Sequence, residues 1–262
     1  MKIKEIMTRE IVYVSKNDDL KHVMDLMEKH NISKVPVMDD GKLVGIVTDT
    51  VIADKLGSLK SRGVPASRMH ASTVMDKNFE AIYPDMDVKE ILDTVGKPGL
   101  TMLPVVENDV LVGVVTKADL LPFVKGDRKI REIMSTNVYS VKPDDRVIHA
   151  RRIFLDNDIA RVPVVDDGRV VGVLSDKEIS FAFSEIKKSY PLGQQNHHIR
   201  GLLVRDVMKT PAIVSNGDIT VEEAAGIMME NEIGCIPVVD DNGKLEGIVT
   251  RTDLVRLISD GV

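Results

Sequence analysis

The sequence predicts an α/β protein, of the α+β type with small sheets, built from four copies of a strand–helix–strand–strand–helix unit packed as two pairs. Three observations predict it. An apolar-Pro-Val tripeptide occurs four times, as Val35-Pro36-Val37, Leu103-Pro104-Val105, Val162-Pro163-Val164 and Ile236-Pro237-Val238. Each proline lies 29 residues after a methionine that follows Ile or Val, namely Met7, Met75, Met134 and Met208. Nine or ten residues beyond each proline a glycine (Gly45, Gly113, Gly172 or Gly247) opens one phrase in four versions, GIVTDTV, GVVTKAD, GVLSDKE and GIVTRTD. Marks that hold their offsets four times identify a repeat, and units this small stack because none buries its apolar face alone.

Each unit opens with a short strand and continues into a helix. Leu20, Val23, Met24 and Met27 fall at i, i+3, i+4 and i+7, as do Val88, Ile91, Leu92 and Val95, and Val221, Ala224, Ala225 and Met228. That spacing is one face of a helix. The third copy has Val147, Ala150 and Phe154, with Arg151 in the remaining slot. Thr220 and Glu223 form a capping box, in which a hydroxyl and a carboxylate satisfy free N–H groups reciprocally. Two β-rich runs follow, separated by Asp-Asp-Gly in the first and third copies, a hairpin signal because Asp and Gly tolerate positive φ. A second helix is expected to start at the Thr or Ser of the closing phrase. The units span 1–56, 71–126, 127–183 and 202–262, with polar linkers at 57–70 and 184–201. Chain order and the longer second linker imply that unit one pairs with two and unit three with four, each pair burying a shared face.

Composition narrows the function. The 262 residues carry a net charge of −6, which speaks against a general nucleic-acid binder, because neutralising phosphates needs a basic surface. There is no Trp and only 3% of residues are aromatic, which removes a stacking platform for single strands. The single Cys excludes an intramolecular disulfide framework and fits a reducing, cytoplasmic setting. No secretory signal is visible, and no apolar run reaches the ~18–20 residues of a membrane span. No nucleotide P-loop, dinucleotide fingerprint, nucleophile elbow or zinc-protease motif occurs, so no enzyme activity is expected. His197-His198 lacks the converging ligands of a metal site, and the Asp-Asp-Gly runs lack the pattern of a calcium loop. Cys235, next to Ile236-Pro237, reads as a buried inert thiol.

The Ile/Val-Met start, the periodic helix, the apolar-Pro-Val strand and the phrase Gly-apolar-apolar-Thr/Ser-x-x-Asp together resemble the CBS-domain family, in which two repeats pack as a Bateman module. The resemblance covers essentially the whole chain, and the four-repeat layout is similar to that of the γ subunit of AMP-activated kinase. It implies a regulatory module, with no catalytic cofactor, that binds AMP, ADP, ATP or S-adenosylmethionine between paired repeats and signals to a partner protein not identifiable from the sequence. A homodimer through the modules is compatible with it. The alternative is a ligand-free scaffold for oligomerisation or protein interaction.

The residues support that implication unequally. In T-x-x-D the hydroxyl and carboxylate lie at one helix end, where a carboxylate can accept both ribose hydroxyls. The same pattern is also an ordinary helix cap, the better reading of any copy in isolation. Thr116 with Asp119 and Thr250 with Asp253 match the ribose-binding pattern that the resemblance implies. Ser175 with Glu178 is one methylene longer. Thr48 is followed by Val51 where the acid belongs, and Asp49 is displaced by about 200° around the helix. The resemblance places adenine against the partner repeat's first strand and the residues before its proline. For Asp253 these are Ser135, Val138, Ile159 and Ala160; for Asp119 they are Thr8, Ile11, Ile32 and Ser33. Lys34 and Arg161 stand where family members carry phosphate-binding cations, whereas Met102 and Cys235 do not, which counts against a tightly held triphosphate. Arg62, Arg68, His70, His197, His198 and Arg200 in the linkers are further basic candidates.

Overall fold

The computed structural model describes residues 1–57, 64–95 and 102–261. The first unit comprises α1 (Ile3–Ile6), β1 (Val14–Ser15), α2 (Leu20–Lys29), β2 (Lys34–Asp39), β3 (Lys42–Thr48) and α3 (Asp49–Gly57). The second has α4 (Val88–Val95), β4 (Met102–Glu107), β5 (Val110–Thr116) and α5 (Lys117–Leu120). The third has α6 (Val147–Asn157), β6 (Arg161–Asp166), β7 (Arg169–Ser175) and α7 (Asp176–Ser189), followed by α8 (Leu192–Gly201). The fourth has α9 (Val221–Glu230), β8 (Cys235–Val239), β9 (Leu245–Thr250) and α10 (Arg251–Gly261). The chain therefore mixes helices with small sheets, as its patterning predicts.

The periodic helices bury the residues their spacing marks, including Leu20, Val23, Met24 and Met27 on α2 and Val221, Ala224, Ala225 and Met228 on α9. Thr220 and Glu223 form their capping box, with Thr220 N donating to the carboxylate at 2.6 Å. Each unit's two main strands pair antiparallel. Asp40-Gly41 and Asp167-Gly168 turn the first and third hairpins with φ of 47°, 77°, 46° and 80°. The opening strand is shorter than expected. Among the described residues only β1 forms one, parallel to β2, while the other units make single bridges, Ile82 to Val105, Val141 to Val164 and Ser215 to Val238. The segment 184–201, expected as a polar linker, is instead largely helical: α7 continues to Ser189 and α8 buries Gln195 and Ile199. Part of the other linker, 58–63 with Arg62, lies outside the described residues.

Pairing depends on an exchange at the start of each unit. Thr8 and Val114 exchange two backbone hydrogen bonds, as do Asp76 and Ile46, Ser135 and Ile248, and Lys209 and Val173, all at 2.8–3.0 Å. These ladders join unit one to two and unit three to four. They lay each methionine on a partner glycine. A methyl group added at Gly45, Gly113, Gly172 or Gly247 would lie 2.9, 2.6, 2.8 or 2.5 Å from the sulfur of Met75, Met7, Met208 or Met134.

Apolar burial runs the other way. One core combines unit one (Leu20, Met27, Ile52, Leu56) with unit three (Phe154, Ile179, Phe183), and α3 packs along α7. The second combines unit two (Ile91, Leu103, Leu120) with unit four (Met228, Leu254, Ile258), and α10 packs on α4 and α5. The large apolar cores thus join unit one with three and unit two with four, while the methionine–glycine contacts join one with two and three with four. No helix among the described residues is long and apolar enough to cross a membrane.

Gly247→Ala is expected to destabilise the protein by about 1–3 kcal/mol through overpacking against Met134. In calorimetry its Tm should fall by several degrees, and Met134→Ala in the same chain should recover part of the loss. An unchanged Tm would contradict the close-approach role of this glycine.

Candidate functional site

The same exchange builds the candidate site. By pairing next to the glycine, the residue after each methionine arrives beside the Thr or Ser of its partner's closing phrase, and the four meetings differ. Asp119 accepts the Thr116 hydroxyl and backbone N–H through Oδ2, both at 2.7 Å, and Thr8 donates its hydroxyl to Oδ1 at 2.9 Å. Asp253 accepts the equivalent bonds from Thr250 through Oδ2 at 2.8 and 2.7 Å. Ser135 stands in the place of Thr8, and among the described residues Oδ1 of Asp253 has no hydrogen-bond partner. Glu178 is held by Ser175 through Oε2, while Lys209 lies 4.0 Å from Oε1. In unit one Thr48 merely caps the N–H of Val51, at 3.1 Å.

A cavity of about 870 Å³ joins the first two of these positions. Around Asp253 it is lined by Thr250, Ser135, Val138, Ile159, Ala160 and Arg161, and on the side of Asp119 by Thr116, Thr8, Ile11, Ile32, Ser33 and Lys34. Asp119 lies just behind that wall, through its bonds to Thr8 and Thr116. Ser175 and Glu178 are not part of the lining, and neither are Arg68, His70, His197, His198 or Arg200. His70 is instead bonded through Nδ1 to the carbonyl of Asn17 at 2.7 Å, and His198 stacks on Tyr190. Among the described residues no cluster of His, Cys, Asp and Glu could hold a metal ion. Met102 lines the cavity; Cys235 is buried, and burial pushes its thiol pKa up.

The cavity is strongly polarised. Lys117 and Arg251, the first residues of α5 and α10, line it together with Lys34, Arg161 and Arg256. Lys117 is 4% exposed and donates to the Thr252 hydroxyl at 2.7 Å. Burial, reinforced by the neighbouring cations Lys34, Arg256 and Arg161, pushes its ammonium down to about 8. Burial, then Arg161, pushes Arg251 down to about 10. Arg161 passes over Gly234, where any side chain would collide with its guanidinium. The opposite wall is acidic. Asp49 and Asp176 open α3 and α7, and Thr50 donates its hydroxyl to Asp176 Oδ2 at 2.8 Å. Asp176 is 3% exposed, and burial raises its carboxyl to about 7; burial raises that of Asp49 as well.

Sequence reasoning named Lys34 and Arg161 but passed over Lys117, Arg251 and Asp176, although a signal was present. The residue after the Thr or Ser of the phrase is Asp49, Lys117, Asp176 and Arg251 in turn, acidic in odd units and basic in even ones.

A family model for the CBS domain matches the chain four times, at residues 3–58, 71–126, 130–185 and 204–260. The chain belongs to the CBS-domain family. The uncharacterized protein MJ1404 of Methanocaldococcus jannaschii is 30% identical to this CBS-domain chain over 276 residues, 98% of the chain and 62% of that relative. The chain thus spans a little under two thirds of that protein's length. Protein MJ1225 of the same organism is 24% identical over 274 residues, 98% of this chain and 97% of that one. The crystal structure of MJ1225, described as a proposed archaeal homolog of g-AMPK, matches with a TM-score of 0.87 at 22% identity, covering 98% and 99% of the two chains. A conserved protein from Pyrococcus horikoshii gives a TM-score of 0.63 at 21% identity, with 98% and 100% covered. These structural likenesses establish the four-repeat CBS fold.

The raised carboxyl of Asp176 makes a stability prediction. Its folded value of about 7 lies above the ordinary ~3.9, so the folded state keeps a proton that the unfolded chain releases. The contribution of this group is therefore greatest below about pH 4, declines as pH rises and levels off above about pH 7. Asp176→Asn removes the decline and should gain on the order of 1–3 kcal/mol relative to the parent between pH 4 and 8. Parallel Tm profiles of the two proteins over that range would refute the assignment.

Proposed function

We propose that this CBS-domain chain is a regulatory module that holds an adenosine-containing ligand in the shared cavity and reports its presence to a partner protein. The observation that carries the reading is Oδ1 of Asp253, without a hydrogen-bond partner among the described residues, on a cavity that five cations line, the buried Lys117 among them. The ribose hydroxyls donate to Asp253, adenine lies against Val138, Ile159 and Ala160, and the phosphate end faces Arg251 and Arg161. Aliphatic walls and a few convergent polar groups suffice for such a ligand. Five cations favour a phosphate-bearing ligand over the sulfonium of S-adenosylmethionine.

The Asp119 position is the weaker of the two, because a ribose there competes with the Thr8 hydroxyl for Oδ1. Binding draws together groups from both pairs: Arg161 and Arg251 from units three and four, Lys34 and Lys117 from units one and two. A ligand that fits one relative setting of the pairs better than another shifts the population toward it, which is how occupancy reaches a distant surface.

Calorimetry on ligand-stripped protein should detect AMP, ADP or ATP with a Kd of ~100 μM or tighter, about −5.5 kcal/mol. Asp253→Ala should weaken binding at least tenfold, and Val51→Ala should leave it unchanged. Equal effects of the two substitutions, or no heat with any nucleotide, would overturn the reading.

A further inference from the structure

We propose that the ligand's phosphate takes the Lys117 ammonium from the Thr252 hydroxyl, so that occupancy at Asp253 breaks a bond between the two pairs of units. The inference rests on the adenosine reading above and adds to that site a step by which binding reaches the contact between the pairs.

The bond lies on the cavity wall where units two and four meet. Lys117 opens α5 directly after Thr116, and Thr252 stands in the first turn of α10 between Arg251 and Asp253. Lys117 Nζ donates to Thr252 Oγ1 at 2.7 Å, and both residues line the cavity. A ligand whose ribose donates to Asp253 therefore arrives one residue from the acceptor of this bond. The relation is one-sided. Arg251, which corresponds to Lys117, donates through Nε to the Ile233 carbonyl of its own unit at 3.1 Å, and Ala118 stands where unit four has Thr252.

The change of acceptor favours the phosphate. Lys117 is almost fully buried, so water screens its charge poorly, and Thr252 offers it a neutral hydroxyl. A phosphate oxygen offers the same ammonium a full opposite charge, which in a poorly screened site outweighs a hydroxyl dipole. Glu10, Asp158 and Glu232 line the same cavity, but all three are exposed, where water and salt screen a carboxylate. Asp49 and Asp176 stand at the other contact, between units one and three, and burial raises both carboxyls, which lessens their charge at neutral pH. Movement of Lys117 passes inward, because α5 is a single turn whose last residue, Leu120, is fully buried in the core that units two and four share.

The test is calorimetry with AMP and with adenosine, which lacks the phosphate, on the full chain and on K117M, T252V and K117M/T252V. The parent should bind AMP at least tenfold more tightly than adenosine; equal affinities overturn the proposal without any variant. T252V removes the competing acceptor, so it should improve AMP binding at least threefold more when Lys117 is present than in the K117M background. Comparing T252V in two backgrounds cancels whatever Thr252 itself contributes to binding. For adenosine the two substitutions should act independently. Independent effects on AMP affinity mean that the bond persists in the complex, and overturn the proposal. Coupling of the opposite sign means that binding strengthens the bond, and overturns it too. K117Q, which keeps a polar group at the buried position, takes the place of K117M if that variant does not fold. Failure of AMP and adenosine alike to bind the parent removes the adenosine reading itself, whereas AMP binding without coupling removes only this step.

Discussion

The contact on which the rest of the structure depends is the methionine laid on a partner's glycine. It occurs four times and is reciprocal: Met7 covers Gly113 while Met75 covers Gly45, and Met134 covers Gly247 while Met208 covers Gly172. Absence of a Cβ lets two backbones approach closely enough to exchange hydrogen bonds on the next residue. The exchange carries the first turn of each unit into its partner's core, where Ile3, Ala71, Ile130 and Val204 are fully buried. It also delivers Thr8, Asp76, Ser135 and Lys209 to the four closing phrases. Fold and site thus share one geometric cause.

The second constraint is electrostatic. Charged groups are costly to bury, and this chain places Lys117 and Asp176 almost wholly out of water. Segregating acids to the contact of odd units and bases to the contact of even ones leaves each cluster under like-charge strain. Polar neighbours moderate that strain in both clusters, Thr50 at Asp176 and Thr252 at Lys117. A packed core has no need of such an arrangement, since apolar residues of similar volume would be as stable or more so.

Much of this was legible in the sequence because it is local. The faces of α2, α4 and α9 follow from spacing alone, and the hairpins from Asp-Gly. The helical segment at 184–201 was hidden because the apolar period of α7 (Ile179, Phe183, Ile186) ends just inside it, and the inward face of α8 carries Gln195 beside a single Ile199. The first strands were overread, since each opening segment pairs first with the partner unit and then reaches its own sheet for only a bridge or two. At the site, the carboxylate pattern was visible, but its occupancy was not. Whether Asp253 differs from Asp119 depends on a single hydroxyl, Thr8, 111 residues from its acceptor. The acidic and basic walls were likewise unreadable without knowing which units face each other, because Thr50–Asp176 and Lys117–Thr252 join residues 126 and 135 apart.

The pseudo-symmetry has a consequence for how such a molecule diversifies. Two identical half-length chains could form the same pair of cores, but every substitution would then appear twice, once in each symmetry-related copy. Covalent continuity removes that coupling. One position has Thr8 bonded to its acid while its counterpart carries Ser135, which makes no such bond, and Val12 lines the cavity where the equivalent residue of unit three is Tyr139. A single chain can therefore line one chamber with two unequal positions that diverge independently, whereas a symmetric dimer is confined to two of the same kind.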